Sequence, residues 1–541
     1  MKSGGLKRLI CAVAVAVVGV GAVGTGRALA HASLESSTPA ASSVLEASPP
    51  LISLNFDEAI EVSLTSIQLF NEKGKVLPVG SAVSGADDSI VQSSVATVPD
   101  GTYAVVWRVT SADGHVVDGA FSFQVGSGSG VDSARLIDSV LSGSRAAPAV
   151  GRVMGIARFA SFLAASLLLG GLFMVMMAHV EAQHGWATRR LLWLGLVLLG
   201  LASFANFTLL GAKSKAGTLA DAFDMWKWVD IAGTRTGVLL IVRLALTVLL
   251  IPVVACLNRR QRAWWPISVA LLGLLTIFTF SGAGHPSVTD QPAIWMAVDA
   301  LHLGFVAVWL GSLVMMAVGG RTWLRDPRHV PAVKSFSRMA TVGIPVIVVT
   351  GVAQTWRLGG SLTNLTDTSW GRILLAKVAI AVLMVTIGAA SRWLLSHEGP
   401  AGLRRMVLAE AVCGIAVLGL AAGLVAQPPT VGPRSKVFTA ALTENGTIAD
   451  VSITPGRVGA NEFHLVITPA GGSIKPVVSV TARMSLPARN MPNTPVTLIA
   501  SGPNHYTGNI TLPFSGDWTL ELVIEPTAGE SVLLTSAVPI P

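Results

Sequence analysis

The fold is decided by a long apolar stretch at residues 293–318, whose centre is Ala300-Leu301-His302-Leu303-Gly304-Phe305-Val306-Ala307-Val308-Trp309-Leu310-Gly311-Ser312-Leu313. About 20 consecutive apolar residues are enough for a helix to cross the hydrocarbon core of a bilayer. Other stretches of this kind lie roughly at 153–178, 190–210, 236–257, 264–282, 335–356, 371–395 and 404–426. The sequence therefore predicts a bundle of eight transmembrane helices within residues 151–426.

The composition agrees with a membrane protein, because the mean hydropathy is +0.63 and only 13% of the 541 residues are charged. The net charge of +8 does not indicate a nucleic-acid partner, since the basic residues lie in short turns between apolar runs. Alternate turns hold thirteen and six basic residues, and the richer set is expected in the cytoplasm. The lipid bilayer is the expected partner, and both flanking domains are predicted to be extracytoplasmic.

The first thirty residues have the features of a secretory signal peptide. Lys2, Lys7 and Arg8 precede an apolar run, and Ala28-Leu29-Ala30 forms an A-x-A cleavage site. Cleavage after Ala30 would make His31 the mature amino terminus. We therefore predict a multi-pass protein of the cell inner (cytoplasmic) membrane.

Both flanking segments have the period-two alternation of β-strands. Residues 31–126 contain short alternating runs separated by Gly, Pro, Asn and Asp, which predicts a small β-sandwich. A Gly/Ser-rich stretch begins the linker predicted at 127–150. Residues 435–541 return to strand period. The predicted fold class is mixed: an amino-terminal β-sandwich, an eight-helix transmembrane α bundle and a small carboxy-terminal β-sandwich.

The first of these domains has candidate metal ligands. Residues 31–130 contain eleven acidic and three basic residues, and such a surface attracts cations. A mature His31 offers its α-amine and its imidazole, while Asp113 and His115 add a carboxylate and a second imidazole from one turn. Three nitrogens and one oxygen suit Cu(II). The spacing alone also fits an ordinary surface turn and a frayed terminus.

Five motifs make residues 31–125 similar to the periplasmic copper-binding family CopC. They are His31-Ala32-Ser33-Leu34, Ser37-Thr38-Pro39-Ala40, Leu54-Asn55-Phe56-Asp57-Glu58, Gly101-Thr102-Tyr103-Ala104-Val105-Val106-Trp107-Arg108-Val109 and Ser111-Ala112-Asp113-Gly114-His115. The resemblance implies a Greek-key sandwich that binds Cu(II) through His31, Asp113 and His115, with Glu58 as a nearby acidic group. Some members also bind Cu(I) through a Met-rich loop, but residues 31–125 contain no Met. Only Cu(II) is therefore expected in this domain.

The membrane segment has its own polar residues. Asp299 and His302 are three residues apart and so lie on one helix face, which should point into the bundle because a carboxylate in lipid costs about 2.5–3.5 kcal/mol. His285 lies at the predicted outer end of the preceding span and is positioned to pass an ion to this face. The alternatives are a loop histidine and a structural polar contact between helices.

Methionines mark the predicted inner ends of two spans. Met315 and Met316 end the fifth span, and Met174, Met176 and Met177 end the first. Thioether sulfur suits Cu(I), so a Cu(I) exit site in the membrane domain is one interpretation and ordinary apolar packing is the other.

The run at 300–313 resembles the membrane copper-resistance family CopD, which is often fused to CopC. The resemblance implies copper movement across the inner membrane, with import as the expected direction. Residues 435–541 resemble the small sandwiches called YtkA-like through Pro487-Ala488-Arg489-Asn490-Met491-Pro492 and Gly516-Asp517-Trp518. The tail also contains residues that either bind copper or fill the core and surface: His464, Met484, Met491 and His505.

These features predict a copper-binding membrane protein that captures Cu(II) outside and transports copper inward, without enzymatic turnover. An extracytoplasmic copper chaperone is a compatible partner. One alternative is a copper-sequestering chaperone for oxidase assembly, and another is a transmembrane copper reductase with haem. No P-loop and no Asp-Lys-Thr-Gly-Thr motif is present, so ATP-driven export is not expected.

Overall fold

The computed structural model describes residues 32–540, except for 33, 41–42, 127–135, 138, 141–146, 178–184, 260–261, 290, 326–329, 360–364, 367, 398–402, 428–437, 455, 457–458, 471–475, 490, 513 and 515. The predicted signal peptide, His31 and most of the predicted linker lie outside the described residues.

The first domain is a β-sandwich around one apolar core, as predicted. Its strands are β1 (Leu34–Thr38), β2 (Val44–Leu45), β3 (Leu51–Phe56), β4 (Ser66–Asn71), β5 (Val76–Leu77), β6 (Val83–Ser84), β7 (Ile90–Ser94), β8 (Gly101–Thr110) and β9 (Val116–Val125). The two sheets have the orders β1-β3-β7-β6 and β2-β9-β8-β4-β5. Strand β3 illustrates why this segment forms a sandwich. Ile52, Leu54 and Phe56 are buried in the core, and the polar residues Ser53 and Asn55 between them point to the other face.

Strand β8 departs from this alternation, since all ten of its residues are buried. Val105 and Val109 face the sandwich core. On the opposite face, Val106 packs against Leu136 and Val140. A strand that is covered on both faces loses the inside–outside pattern, and β8 is therefore the strand that other parts of the chain cover.

The membrane domain is built from nine helices among the described residues. They are α1 (Pro148–Met177), α2 (Trp186–Ser214), α3 (Met225–Ala232), α4 (Arg235–Ala255), α5 (Trp264–Gly282), α6 (Pro292–Arg325), α7 (Val330–Gly359), α8 (Ser369–His397) and α9 (Leu403–Leu424). All except α3 are long and apolar enough to span a bilayer. The prediction of eight spans is confirmed.

Helix α3 is a short element that the hydropathy pattern did not predict. Ile231 is buried, whereas Met225, Trp226 and Val229 are 70%, 86% and 70% exposed. Exposed Trp and Met beside the end of a transmembrane bundle are typical of a helix at the membrane interface.

Helices α1 and α6 approach each other closely through two glycines. A Cβ on Gly311 would lie 1.8 Å from the Ser166 carbonyl oxygen, and one on Gly170 would lie 2.5 Å from the Gly311 Cα. Small residues at such a crossing let two helix backbones pack together in a membrane. Gly311, part of the CopD-like run, therefore has a packing role.

The first domain is docked on one end of the bundle by polar contacts. The backbone N–H of Arg235, at the start of α4, donates to Glu61 at 2.9 Å. The Thr110 hydroxyl donates to Ser214, at the end of α2, at 3.0 Å. Gly114 has φ +84° and is so close to the bundle that a Cβ there would lie 2.8 Å from the Thr236 hydroxyl oxygen. These contacts bring the turn between β8 and β9 to the membrane domain.

The tail is β-rich, as predicted. Its strands are β10 (Phe438–Glu444), β11 (Thr447–Thr454), β12 (Gly459–Thr468), β13 (Ser479–Leu486), β14 (Met491–Gly502), β15 (His505–Leu512), β16 (Gly516–Thr527) and β17 (Glu530–Ile540). They form one antiparallel sheet of order β10-β11-β12-β15-β14-β13-β16-β17. Strand β14 pairs first with β13 and then with β15, and β10 contacts β17, so the sheet folds over one core towards a barrel.

Candidate metal centre

The turn between β8 and β9 fixes the carboxylate of Asp113. The N–H of Ser111 donates to the His115 carbonyl at 2.8 Å and closes the turn. The Ser111 hydroxyl and the His115 N–H both donate to Asp113 Oδ1. Gly114 occupies the left-handed region that this turn requires. Asp113 is therefore held in one orientation before any ion binds.

The structure brings together three of the predicted site residues, two from the sandwich and one from the bundle. His115 Nδ1 lies 3.0 Å from Asp113 Oδ1, and His285 Nδ1 lies 2.6 Å from Asp113 Oδ2. The two imidazole rings are stacked with centroids 4.5 Å apart. One ligand atom from each residue lies within 4.8 Å of the others, which is close enough to surround one metal ion. We call Asp113, His115 and His285 the interdomain cluster.

His285 was predicted to receive an ion from the first domain. In the structure it directly contacts Asp113 of that domain and does not form a separate site. It lies in the short helical turn His285–Val288 that follows α5. Arg235 donates from its guanidinium to the Ser287 carbonyl at 3.0 Å and holds this turn against the start of α4. The sequence contained no signal for this contact, because 172 residues separate the two partners.

The electrostatics of the cluster favour an anionic carboxylate at Asp113. Burial alone would raise the pKa of Asp113, but His115 and His285 together hold it well below its usual range. Burial lowers the pKa of His285. A neutral imidazole and an ionised carboxylate are the forms that bind metals.

Glu58 lies next to this cluster and connects it to the amino terminus. Burial, with the negative charge of Asp113, raises the pKa of Glu58 to about 8, and its carboxyl group is hydrogen-bonded to the Ser111 side chain and to the Ala32 backbone N–H. Its Oε1 is buried with no hydrogen-bond partner among the described residues. Ala32 is 2% exposed and directly follows His31, whose own position lies outside the described residues.

A second polar group lies inside the bundle, around Asp299 and His302. The Ser281 hydroxyl of α5 donates to Asp299 at 2.7 Å. His302 Nδ1 contacts the Thr350 hydroxyl of α7 at 2.9 Å. Both side chains of this α6 face therefore meet polar partners on neighbouring helices, as an inward-facing position requires.

Sequence reasoning missed two cations that belong to this group. The charges of Lys377 on α8 and Arg357 on α7 both act on Asp299. Arg357 also acts on His285, and its guanidinium lies over the Trp295 ring at 4.8 Å. The signal that could have found Lys377 is its place inside the apolar stretch 371–395, where the other basic residues, Arg372 and Arg392, lie near the two ends.

Met315 and Met316 lie in the apolar core of the bundle. They are 1% and 2% exposed and belong to the same cluster as Met174 and Leu192. The methyl group of Met315 lies 3.0 Å from the Cβ position of Gly171. This is ordinary core packing, and a Cu(I) exit site at these methionines stays a prediction.

Comparisons with known proteins divide the chain in the same way as the fold. Residues 34–126 match the CopC domain, residues 150–295 the copper resistance protein D-like amino-terminal domain and residues 330–424 copper resistance protein D. Copper transport protein CutJ of Bacillus subtilis is 28% identical over 470 residues, which is 84% of each chain.

Two relatives match single parts of the chain. Copper resistance protein C of Escherichia coli is 39% identical over 106 residues, covering 18% of this chain and 83% of the relative. Copper resistance protein D of Pseudomonas syringae pv. tomato is 27% identical over 183 residues, covering 29% of this chain and 57% of the relative.

Proposed function

Because the chain belongs to the CopC/CopD family of copper-resistance proteins, we propose that it captures Cu(II) outside the cytoplasmic membrane and imports copper through its bundle. The observation that carries this proposal is the 2.6 Å contact between Asp113 of the sandwich and His285 of the bundle. A capture domain that served only to store copper would need no ligand from the membrane domain.

The chemistry of capture rests on the donors around Asp113. His31, if freed by cleavage, would add an amine and an imidazole next to Ala32, which Glu58 holds beside the cluster. Together with Asp113 and His115 these donors form the nitrogen-rich set that Cu(II) prefers. His285 is then the exchange ligand: it shares Asp113 with His115 and is part of the bundle.

The inward route continues from His285 to Asp299. Arg357 acts electrostatically on both residues, which places all three in one neighbourhood. Asp299 supplies the negative charge that compensates a cation in lipid, and His302 supplies an imidazole one helical turn further along. A membrane potential, negative inside, favours cation entry by about 2.3 kcal/mol per charge per 100 mV and needs no nucleotide site.

The same contacts support the orientation in this proposal. The first domain docks at the end of the bundle where α2 ends and α4 begins, and the distribution of basic residues predicts that this end faces outward. In this proposal both β-domains are extracytoplasmic, because eight spans bring both flanking domains to one side of the membrane.

Copper accumulation tests the proposal directly. Cells producing the full chain should accumulate more intracellular copper than cells without it, and Asp113→Asn should remove most of that gain because the cluster loses its only carboxylate among the described ligands. Asp87→Asn is the matched control, since Asp87 is exposed, is bonded to Ser89 in the turn between β6 and β7 and is not among the cluster ligands. Equal accumulation by Asp113→Asn and the wild type would refute the capture site.

A second variant tests the amino-terminal ligand. One residue inserted between Ala30 and His31 would move the free amine away from the imidazole and should weaken Cu(II) binding sharply. Isothermal titration of the purified, cleaved chain measures this. An unchanged affinity would exclude the amine from the site.

A further inference from the structure

Two histidines of the tail form a buried pair on its sheet. His464 lies opposite Thr507 in the pairing of β12 with β15, and His505 lies two residues before Thr507. Because side chains alternate along a strand, His464 and His505 project from the same face. Their Nε2 atoms are in direct contact, with ring centroids 4.4 Å apart at an interplanar angle of 66°.

This pair is not part of the apolar core. Phe463 and Leu465, the neighbours of His464, are fully buried in that core, so the two histidines lie on the opposite face of the sheet. They are nevertheless 7% and 5% exposed. Burying two imidazoles outside a core is costly unless their nitrogens have partners.

Both rings are neutral near pH 7. Burial, together with the charge that His505 would carry, lowers the pKa of His464 to about 3, and burial also lowers the pKa of His505. Neutral imidazoles have a lone pair for a cation without first releasing a proton.

We propose that His464 and His505 form a two-coordinate site for Cu(I). The two Nε2 atoms face each other, so a small shift of the rings admits one ion between them. Among the described His, Cys, Asp and Glu side chains, no third ligand atom lies within 4.8 Å of both. Zn(II) and Cu(II) normally take four ligands, whereas the d¹⁰ ion Cu(I) accepts two nitrogen ligands in a line.

The position of the pair explains how an ion would reach it. His505 is the first residue of β15 and follows a tight turn in which Asn504 has φ +58°. The Asn504 side-chain oxygen accepts a hydrogen bond from the Val477 N–H at 2.7 Å, which attaches the turn to the segment just before β13. A site at the end of a hairpin opens to solvent by a local movement of that turn.

Anaerobic Cu(I) titration against a chromophoric Cu(I) chelator tests the site in the full chain in detergent. His464→Gln and His505→Gln should each bind one Cu(I) equivalent fewer than the wild type, because glutamine keeps polarity but lacks the imidazole ligand. Ser452→Ala is the matched control, since Ser452 lies directly opposite His464 on the neighbouring strand and is also buried. Equal stoichiometry and affinity in the wild type and both glutamine variants would overturn the proposal.

X-ray absorption keeps the proposal testable if the glutamine variants fold poorly. A full-length Asp113→Asn/His115→Asn chain, with an intact tail, is loaded with one equivalent of Cu(I). The spectrum should show a two-coordinate ion with nitrogen neighbours only. A three- or four-coordinate ion, a sulfur neighbour or no binding would each refute the site, whatever the outcome for copper import.

Discussion

The proposed capture site depends on Asp113. Its two carboxylate oxygens contact different imidazoles, Oδ1 facing His115 and Oδ2 facing His285. Its side chain is fully buried, so contacts with these neighbours, rather than with water, stabilise the carboxylate. One carboxylate therefore joins a sandwich ligand to a bundle ligand.

His285→Asn tests whether the bundle ligand takes part in binding. Loss of a ligand or of its hydrogen-bonded partner commonly weakens metal binding by about 10–100-fold, and we expect a loss of that size in the Cu(II) affinity of the full chain. Competition with a colorimetric Cu(II) chelator measures it. Thr289→Ala, in the same loop, should bind as the wild type does; an unchanged affinity for His285→Asn would show that capture uses the sandwich alone.

At the residue scale, the sequence indicated the ligand types but not how they combine. Asp113 and His115 are two residues apart, so local pattern was enough to predict their association. His285 joins them through docking of two domains, which no local spacing encodes. Lys377 was missed because a transmembrane prediction tolerates one charge in an apolar run, and only the fold shows that it acts on Asp299.

In helix α6, one residue of the CopD-like run is explained by helix packing. Gly311 lies where α6 crosses α1, whereas Gly304, on the same helix, has nothing within 4 Å of its Cβ position. Gly304 therefore serves as the matched control for a substitution at Gly311.

Gly311→Ala should destabilise the bundle, because the new methyl group would collide with the Ser166 carbonyl of α1. Overpacking of this kind typically costs about 1–3 kcal/mol. Gly304→Ala should be neutral or slightly stabilising. Thermal unfolding of both variants in one detergent measures the difference, and equal melting temperatures would contradict the close α1–α6 crossing.

The start of helix α4 is capped from another domain. Its own Thr234 accepts from the Gly237 N–H, and Glu61 of the sandwich accepts from the Arg235 N–H. An acidic group at a helix amino terminus also interacts favourably with the helix dipole. The cap is therefore one of the contacts that hold the sandwich on the bundle.

Glu61→Ala should loosen this docking by about 1 kcal/mol, the usual cost of a lost cap. Faster deuterium exchange at the first amides of α4 would report it, with little change inside the sandwich. Glu35→Ala, an exposed position on β1, is the control. Unchanged exchange in Glu61→Ala would mean that the other interface contacts hold α4 without it.

For the molecule as a whole, the eight spans were predictable because each transmembrane helix forms its backbone hydrogen bonds within its own segment. Its length and hydropathy are therefore visible in the local sequence. The two β-domains were predictable from alternation wherever one face of a strand meets water. Docking hides that pattern in β8, and the short helix α3 lies below the length that hydropathy detects. The missing information is therefore tertiary for β8, whereas α3 was missed because it is short.

The arrangement of charge in the bundle leads to a prediction about the proposed passage of copper. The cation Arg357 acts on both His285 of the interdomain cluster and Asp299 inside the bundle, and Lys377 also acts on Asp299. On the proposed route, a copper ion that leaves His285 therefore meets the repulsion of Arg357 as well as the attraction of Asp299. Asp299 offsets that repulsion, so its charge should determine the rate of passage rather than the affinity of capture.

Asp299→Asn should accordingly lower copper accumulation about tenfold or more, since tenfold corresponds to about 1.4 kcal/mol, while Cu(II) binding at the outer cluster stays unchanged. Asp299→Glu should recover part of the rate. Glu410→Gln is the matched control, because Glu410 is another buried carboxylate of the bundle and bonds to Ser391 on α8. Uptake rates in cells and chelator competition on the purified chain separate the two effects. Normal uptake by Asp299→Asn would remove Asp299 from the route, and an equal loss in Glu410→Gln would assign the effect to bundle stability instead.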